Sequence, residues 1–280
     1  MKTLIANAVR AAIAVAFVAT AGTAFAAGGE KHIEKQDWSF AGPFGHYDKA
    51  QLQRGFQIYK EVCSGCHALS LVAFRNLGEE GGLGYSDEQI KALAAEYTVM
   101  DGPDDEGEMF ERAAKASDRL PSPFPNEQAA RASNSGAYPP DLSLIAKARA
   151  VERGFPWFVF DAFTQYQEQG VDYLYALLTG YHEAPEGVAV PEGQYYNPNF
   201  IAGHSLAMAP PLFDEGIEYS DGTPMTVDQY ARDVASFLMW TAEPKLEQRK
   251  LMGFRVMVFL LIFASLLFFT KKKLWRNVEH

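Results

Sequence analysis

Two cysteines and a histidine in the run Cys-Ser-Gly-Cys-His constrain this chain more than any other feature. They are Cys63, Cys66 and His67, and the sequence has no other cysteine. The C-x-x-C-H spacing is typical of a c-type haem, in which each thiol adds to a vinyl group and the adjacent imidazole binds the iron. Two cysteines are too few for a disulfide network or a four-thiolate zinc site. A thioredoxin-like redox pair, a zinc site with other ligands, and chance are the alternatives.

Residues 1–26 have the pattern of a cleaved secretory signal. Lys2 and Arg10 give a positive start, residues 11–21 form a short apolar run, and Ala-Phe-Ala at 24–26 fits a cleavage site. A first membrane anchor is the alternative. Because covalent haem attachment takes place on the far side of the bacterial cytoplasmic membrane, an export signal and the C-x-x-C-H motif support each other.

A second apolar segment covers residues 251–270, where Arg255 is the only charge. Twenty helical residues span about 30 Å, which is the thickness of the bilayer hydrocarbon. The tail at 271–280 begins with three lysines and contains Trp275 and Arg276, so the positive-inside rule places it in the cytoplasm. We therefore expect a single-pass protein of the bacterial inner membrane, in contact with lipid, with residues 27–250 in the periplasm. A buried core helix is the alternative.

The region between these segments, residues 27–250, is long enough for one domain and strongly acidic. It holds 18 Lys and Arg against 34 Asp and Glu, a net charge of about −16. Such a surface favours a basic partner and argues against nucleic acid, although solubility alone also explains it.

Helix caps and apolar spacing predict an all-α domain with long loops. Asp48 with Gln51, and Thr226 with Gln229, have the spacing of capping boxes. Pro244 is expected to kink the chain before the membrane segment. Helices are predicted at 48–62, 87–97, 127–133, 142–150, 170–179 and 226–240, with 181–200 as loop or hairpin. The fold class is therefore all-α, a cytochrome c-type haem domain with one C-terminal transmembrane helix.

An electron-carrying haem needs a second axial ligand, and Met208 is the best candidate. It lies in the run Ala-Met-Ala-Pro-Pro, where two prolines stiffen a loop that can hold a thioether over a haem face. Methionine ligation also raises the reduction potential. His204 is the main competitor, and packing of Met208 as loop filler is the alternative. The other candidates are Met100, Met109, His182, Met225 and Met239.

Several further stretches, taken in order, resemble the cytochrome c1 family, the membrane-anchored haem subunit of the ubiquinol–cytochrome c reductase (bc1) complex. The resemblance covers almost the whole chain after the signal segment. The matching stretches are RGFQIY at 54–59, the motif at 63–67, DGPDDEGEMF at 101–110, PPDLS at 139–143, LTGY at 178–181, MAPP at 208–211, DGTP at 221–224 and AEPK at 242–245.

The resemblance implies one covalently bound haem c. Cys63, Cys66, His67 and Met208 would hold it, with His67 and Met208 as the iron ligands. The positions that would line the haem are Asn134, Ala137 and Pro140, and those that would contact its propionates are Arg149 and Tyr173.

The resemblance also implies partners. The chain would take single electrons from the Rieske iron–sulfur protein and pass them to a soluble or tethered cytochrome c, in a dimeric complex that contains cytochrome b. It would carry out no bond chemistry of its own. The alternatives are an independent membrane-anchored cytochrome c that serves an oxidase or reaction centre, and a haem peroxidase or gas-binding cytochrome.

Two features depart from the family pattern. Some bacterial relatives carry a second cysteine pair that this chain lacks. Residues 151–169 resemble an insertion relative to mitochondrial members. Three of its aromatic residues, Trp157, Phe158 and Phe160, are apolar enough to cover neighbouring protein or the membrane surface, and a small satellite core is the alternative.

An acidic run follows residue 100 and contains no positive charge. In the family such carboxylates help to attract a basic cytochrome c, and a transient contact of this kind is small and sensitive to salt. A solvated loop is the alternative. The six carboxylates are Asp101, Asp104, Asp105, Glu106, Glu108 and Glu111.

Overall fold

The computed structural model describes residues 33–151, 154–164 and 166–277. The signal segment expected at 1–26 lies outside the described residues. The described chain is mainly helical, with two short two-stranded sheets. The helices are α1 (Lys49–Glu61), α2 (Asp87–Ala95), α3 (Glu127–Ser133), α4 (Ile145–Ala148), α5 (Trp157–Thr164), α6 (Gln169–Thr179), α7 (Val227–Ala242) and α8 (Leu246–Leu274), with 3-10 helices at Cys63–Gly65 and Phe74–Leu77.

Helices α1 and α7 cross at the centre of the core, and a glycine permits their close approach. A Cβ on Gly55 of α1 would lie 2.2 Å from the main-chain oxygen of Asp233 and 2.6 Å from the Cβ of Phe237, both on α7. No side chain fits in that space. Beside this contact the ring of Phe237 packs on Phe56 with centroids 5.6 Å apart. The crossing fixes α1, whose last turn leads directly into Cys63.

A buried charge pair joins the same two helices. Asp233 is fully buried, and its carboxylate accepts hydrogen bonds from Arg54 Nε at 2.8 Å, from the Tyr219 hydroxyl at 2.9 Å and from Gln229 Nε2 at 2.8 Å. Arg54 also donates to Asp221 at 2.9 Å. A buried carboxylate costs free energy unless several donors surround it, and here they do.

Helices α4 and α6 also pack on α7 and on each other. A Cβ on Gly170 of α6 would lie 1.8 Å from the main-chain oxygen of Ala146 on α4, so this contact also requires glycine. Asp172, buried on α6, accepts from Trp38 Nε1 at 2.7 Å and from the Gln36 amide at 3.0 Å. These bonds tie the start of the described chain to the core.

Most helices lie where the caps predict them, but α4 is shorter than expected. The sequence predicts a helix over 142–150, whereas α4 covers four residues. The Asp141 side chain accepts from the Ser143 amide at 2.7 Å and the Leu142 amide donates to the Ala68 carbonyl at 2.9 Å. These two amides are therefore already bound in a turn. Pro244 separates α7 from α8, as expected.

The two sheets are small hairpins at loop ends. Strands β1 (Thr98–Asp101) and β2 (Phe110–Ala113) pair antiparallel with Asp101 opposite Phe110. Strands β3 (Tyr195–Tyr196) and β4 (Ser205–Leu206) form the second pair. The acidic run therefore starts on β1, crosses the hairpin turn and ends on β2.

Helix α8 is the membrane anchor. Among the residues that the structure describes, it is the one helix long and apolar enough to cross a bilayer, with 29 residues and a most apolar stretch of mean hydropathy 2.4. Leu246 is buried in the domain, and the helix is exposed from Leu251 onward. The span expected at 251–270 lies within it, and Lys271 and its two neighbours occupy its last turn.

The first turns of α8 are bound to the helical domain by polar contacts. Tyr47 donates its amide to Glu247 Oε1 at 2.8 Å and its hydroxyl to the Glu243 carbonyl at 3.2 Å. Glu243 pairs with Lys147 at 2.6 Å and with Arg249. The anchor therefore leaves the domain in a fixed direction.

Candidate functional site: the haem-attachment loop and the methionine strap

The C-x-x-C-H motif forms one tight turn after α1. The Cys63 carbonyl accepts from the Cys66 amide at 3.1 Å and from the His67 amide at 2.8 Å. Cys63 is partly buried against the core, Cys66 is exposed, and both are free thiols. Burial, followed by the neighbouring Cys66, raises the pKa of the Cys63 thiol to about 12. The turn thus presents two reduced cysteines and the histidine from a single short loop.

The imidazole of His67 is held in the tautomer that binds metals. Its Nδ1 lies 2.8 Å from the Pro140 carbonyl oxygen. A carbonyl only accepts, so Nδ1 carries the proton and Nε2 keeps its lone pair. Burial lowers the pKa of His67, against smaller opposing effects of Pro140 and Asp141, and this favours the neutral ring. The His67 carbonyl in turn accepts from the Tyr59 hydroxyl at 3.1 Å.

The loop that carries Pro140 is joined to the segment after the motif. Asp141 Oδ2 accepts from the Ser70 amide at 2.9 Å. Burial raises the pKa of Asp141, but hydrogen bonds from Ser143 and Ser70 outweigh it and leave the pKa below its ordinary value. The hydrogen bonds of charged Asp141 therefore hold the Pro140 carbonyl in place beside the His67 ring.

Asn134 and Ala137 lie earlier on the same loop and are both half-buried. Asn134 ends α3, where its side-chain amide donates to the Ala130 carbonyl at 2.7 Å, and its own carbonyl accepts from the Ala137 amide at 2.9 Å. These bonds shape the backbone that leads to Pro140. The structure thus places Asn134, Ala137 and Pro140 on one ordered loop that contacts His67.

Met208 lies on a strap held by a tyrosine. It is half-buried and packs against the core, and its carbonyl accepts from the Tyr181 hydroxyl at 3.1 Å. His204, its main competitor, is exposed, with Nε2 3.4 Å from the Ala189 carbonyl and its ring beside Tyr196. Among the candidates in the described chain, Met208 combines a stiff loop with partial burial.

The other methionines are placed less well. Met100 and Met109 are largely exposed on the first hairpin, and Met239 is fully buried within α7. Met225 is exposed just before the Thr226 cap of α7.

Arg149 and Tyr173 are electrostatic neighbours. Tyr173 is buried on α6, and its hydroxyl accepts from the Ile201 amide at 3.3 Å. Burial raises the pKa of Tyr173, whereas the charge of half-buried Arg149 lowers it. A cationic and a hydroxyl donor are therefore neighbours here, which is the pairing that a partly buried carboxylate requires.

The acidic run divides into three groups. Asp101 pairs with Arg112 on the facing strand, and this contact lowers its pKa. Asp104 shapes the hairpin turn, where it accepts from the Glu106 and Glu108 amides at 2.9 and 3.0 Å. The remaining carboxylates, Asp105, Glu106, Glu108 and Glu111, are exposed. The sequence does not distinguish the six carboxylates, because it does not show that Arg112 forms an ion pair with Asp101.

Two residues of this site are not predicted from the sequence. Tyr181 holds the Met208 strap, and Asp141 joins the Pro140 loop to the motif. Both act through contacts between distant parts of the chain. Their only signals in the sequence are their places in the stretches LTGY and PPDLS.

The donor set fits a haem, because the motif supplies two free thiols and an imidazole whose Nε2 keeps its lone pair. Comparison with known proteins agrees. The model of the "Cytochrome C1 family" matches residues 38–278. The chain belongs to the cytochrome c1 family.

Three relatives show the extent of the similarity. The chain is 51% identical to cytochrome c1 of Blastochloris viridis over 245 residues, which cover 87% of this chain and 86% of the relative. It is 49% identical to "Cytochrome c1 2, heme protein, mitochondrial" of Arabidopsis thaliana over 229 residues, 82% of this chain and 67% of the relative. It is 61% identical to "Cytochrome b/c1" of Bradyrhizobium diazoefficiens over 241 residues, 86% of this chain. The chain spans about a third, 35%, of that last protein's length.

These matches confirm the resemblance to the family, the helical fold class and the interpretation as a haem protein. The chain is an electron-transfer subunit of the bc1 complex.

Proposed function

We propose that this chain carries one covalently attached haem c and relays single electrons from the Rieske iron–sulfur protein to a soluble or tethered cytochrome c. Cytochrome b would be its membrane partner in a dimeric complex. The observation that carries this proposal is the His67 Nδ1 contact with the Pro140 carbonyl, within a turn that also bears two free thiols. That arrangement leaves one nitrogen lone pair for a metal.

Cys63 and Cys66 would form the thioethers, and His67 the proximal ligand. When bound, the haem supplies a one-electron couple. The chain's own residues hold the ligand geometry. Tyr59 donates to the His67 carbonyl and Asp141 accepts from the Ser70 amide, and these bonds would hold the imidazole in its orientation.

Met208 would be the distal ligand. The support is its half-buried position on a strap that Tyr181 holds by a main-chain hydrogen bond. A neutral thioether favours the reduced state, which suits an acceptor of electrons from a high-potential iron–sulfur protein.

The residues between these ligands would surround the haem. Asn134, Ala137 and Pro140 lie on the ordered loop beside His67. Arg149 and Tyr173 would bind the propionates, since a cation and a hydroxyl are neighbours at that point.

The exposed part of the acidic run would attract the basic cytochrome c. Asp105, Glu106, Glu108 and Glu111 are exposed on the first hairpin, on an already acidic domain. Asp101 and Asp104 would contribute less, because Arg112 offsets the charge of the first and the second is engaged in the hairpin turn.

The domain would face the periplasm, with the tail in the cytoplasm of a bacterial cell. The support is the lysine cluster in the last turn of α8 and the signal pattern of residues 1–26. On this arrangement residues 27–250 are the haem domain, 251–270 the anchor and 271–280 the tail.

Haem staining of the purified chain after acid–acetone extraction and denaturing electrophoresis tests the covalent attachment. We expect a stained band at the mass of this subunit. The matched control is Cys66→Ala, which removes one thioether at an exposed position and should weaken the stain after extraction. An unstained wild-type band would contradict the proposal. Co-purification with cytochrome b and the Rieske protein separates a complex subunit from an independent cytochrome.

A further inference from the structure

The segment between Val151 and Tyr166 contains exposed apolar residues, although both of its ends pack in the core. Val151 packs against the core and Tyr166 is buried, whereas the residues around the start of α5 project from the domain. Phe155 is 82% exposed, and three large side chains in the first turn of α5 are about half exposed: Trp157 51%, Phe158 59% and Phe160 54%. The rings of this segment contact each other in pairs, Phe155 with Phe158 and Trp157 with Phe160, at centroid distances of 6.2 and 6.1 Å, but they stay half exposed or more.

The exposed apolar residues lie at the N-terminal end of α5. Residues 157–160 are four consecutive apolar side chains, so the first turn of α5 is apolar on every side. Asp161 and Thr164 follow at the end that returns to the domain. A run of exposed apolar residues is costly in water and is normally covered by something else. A first helical turn that is apolar on every side is typical of a segment that enters an interface with that turn first.

Gln167 and Glu168, where this segment rejoins the domain, lie beside the start of the anchor helix. Gln167 Oε1 accepts from Arg249 Nη2 at 3.4 Å and from Lys147 Nζ at 3.3 Å. The buried Glu168 is an electrostatic neighbour of Lys250. Arg249 and Lys250 immediately precede the span, about 3 Å of helix rise before Leu251. The eight residues of α5 are about 12 Å long, so its tip is within reach of the membrane surface.

Another exposed aromatic ring, that of Phe44, lies beside the first turns of the membrane span. Phe44 is 78% exposed, and its ring contacts Phe254, inside the span, with centroids 6.0 Å apart. Its loop is held to the anchor by the Lys250 ammonium, which donates to the Phe40 carbonyl at 2.5 Å. Exposed aromatic residues therefore lie beside the anchor at Phe44, and the α5 segment rejoins the domain at Gln167, which is hydrogen-bonded to Arg249.

We propose that Phe44 and the segment 155–160, here called the aromatic foot, insert into the lipid headgroup and acyl boundary beside α8. The domain then meets the bilayer at the foot as well as at the anchor. Tryptophan and phenylalanine are the side chains that interfacial segments use for this purpose. Phe44 contacts the anchor at Phe254, and Gln167, after α5, is hydrogen-bonded to Arg249 at the start of the anchor; these two contacts favour lipid over a protein partner as the occupant of the foot. The contacts that support it do not involve the residues proposed to hold haem.

Photo-crosslinking in the assembled complex in its native membrane tests the foot. The variants are Phe158→p-benzoylphenylalanine and Phe160→p-benzoylphenylalanine, in which an exposed aromatic ring is replaced by a larger one. Phe254→p-benzoylphenylalanine is the positive control within the span. Phe110→p-benzoylphenylalanine is the negative control, because Phe110 is 42% exposed on the hairpin with the acidic turn. Haem absorbance and complex yield verify that each variant folds and assembles.

We expect lipid adducts, seen as a mass increase of this subunit, at both foot positions in yields similar to those at position 254 and several-fold above those at 110. Adducts with another protein at both foot positions would overturn the proposal, since the foot would then be a subunit interface. Yields equal to those at position 110 would overturn it as well. If one variant fails to assemble, Phe44→p-benzoylphenylalanine supplies the second position.

Discussion

The close crossing of α1 and α7 makes Gly55 the most informative residue to perturb. We expect Gly55→Ala to destabilise the domain even though it adds a single methyl group to a helix. The new Cβ would lie 2.2 Å from the Asp233 carbonyl oxygen, whereas ordinary contact begins near 3.4 Å. The two helices must therefore separate by about 1 Å at their contact, and neither contacting atom is on a flexible side chain.

The magnitude follows from two opposing effects. Overpacking of this kind costs about 1–3 kcal/mol and sometimes more, and contact with main-chain atoms favours the upper end of that range. Alanine in place of glycine returns about 1 kcal/mol of helix propensity. We therefore expect a net loss of about 2 kcal/mol in the free energy of unfolding. For a domain of this size that lowers the Tm by about 4–8 °C.

Thermal unfolding of the purified holoprotein, followed by far-UV circular dichroism, measures this effect. Gly65→Ala is the matched control, because a Cβ at Gly65 meets no atom within 4 Å although it lies between the two cysteines. The control should unfold within about 1–2 °C of wild type. A Tm for Gly55→Ala equal to or above that of wild type would refute the close crossing. The haem content of both variants is measured first, so that loss of cofactor is not mistaken for loss of packing.

Three other outcomes are expected. Met208→Leu should lower the reduction potential by on the order of 0.1 V or more and abolish the far-red sulfur-to-iron band, and an unchanged band in the oxidised spectrum would exclude Met208 as a ligand. Tyr181→Phe removes a strap hydrogen bond of about 1 kcal/mol, so carbon monoxide should bind the reduced protein faster than wild type while the band is kept. Reversing Asp105, Glu106 and Glu108 to Lys should flatten the salt dependence of electron transfer to a basic cytochrome c, since charges are screened over about 10 Å at 0.1 M salt; a salt curve identical to wild type would place docking elsewhere.

Local signals in the sequence predicted the elements well. The Asp48 cap accepts from the Ala50 and Gln51 amides, and the helix that it starts runs to the motif as expected. The helix predicted after Asn126 covers 127–133, as in the structure. Caps and breakers act over three or four residues, so a single sequence carries them in full.

The long-range part of the site could not be predicted in this way. The contact between His67 and Pro140 joins residues 73 positions apart. The pairing of Arg112 with Asp101 depends on the register of the hairpin. Its strands are too short for a periodic pattern to predict that register. The family resemblance placed Pro140 near the haem but gave no reason. The structure adds one contact of Pro140, whose carbonyl accepts a hydrogen bond from His67 Nδ1.

The same pair of helices joins the proposed haem site to the membrane. Helix α1 leads into Cys63, and α7 continues through Pro244 into the anchor. Their crossing at Gly55 therefore fixes the height of the motif above the bilayer. The junction is rigid because Glu243 pairs with both Lys147 and Arg249; burial raises its pKa, but these partners outweigh burial and keep it charged. Since electron transfer between proteins requires close approach of the cofactors, such a fixed mounting would keep the proposed haem within reach of the donor proposed above, while the acidic turn is exposed to solvent.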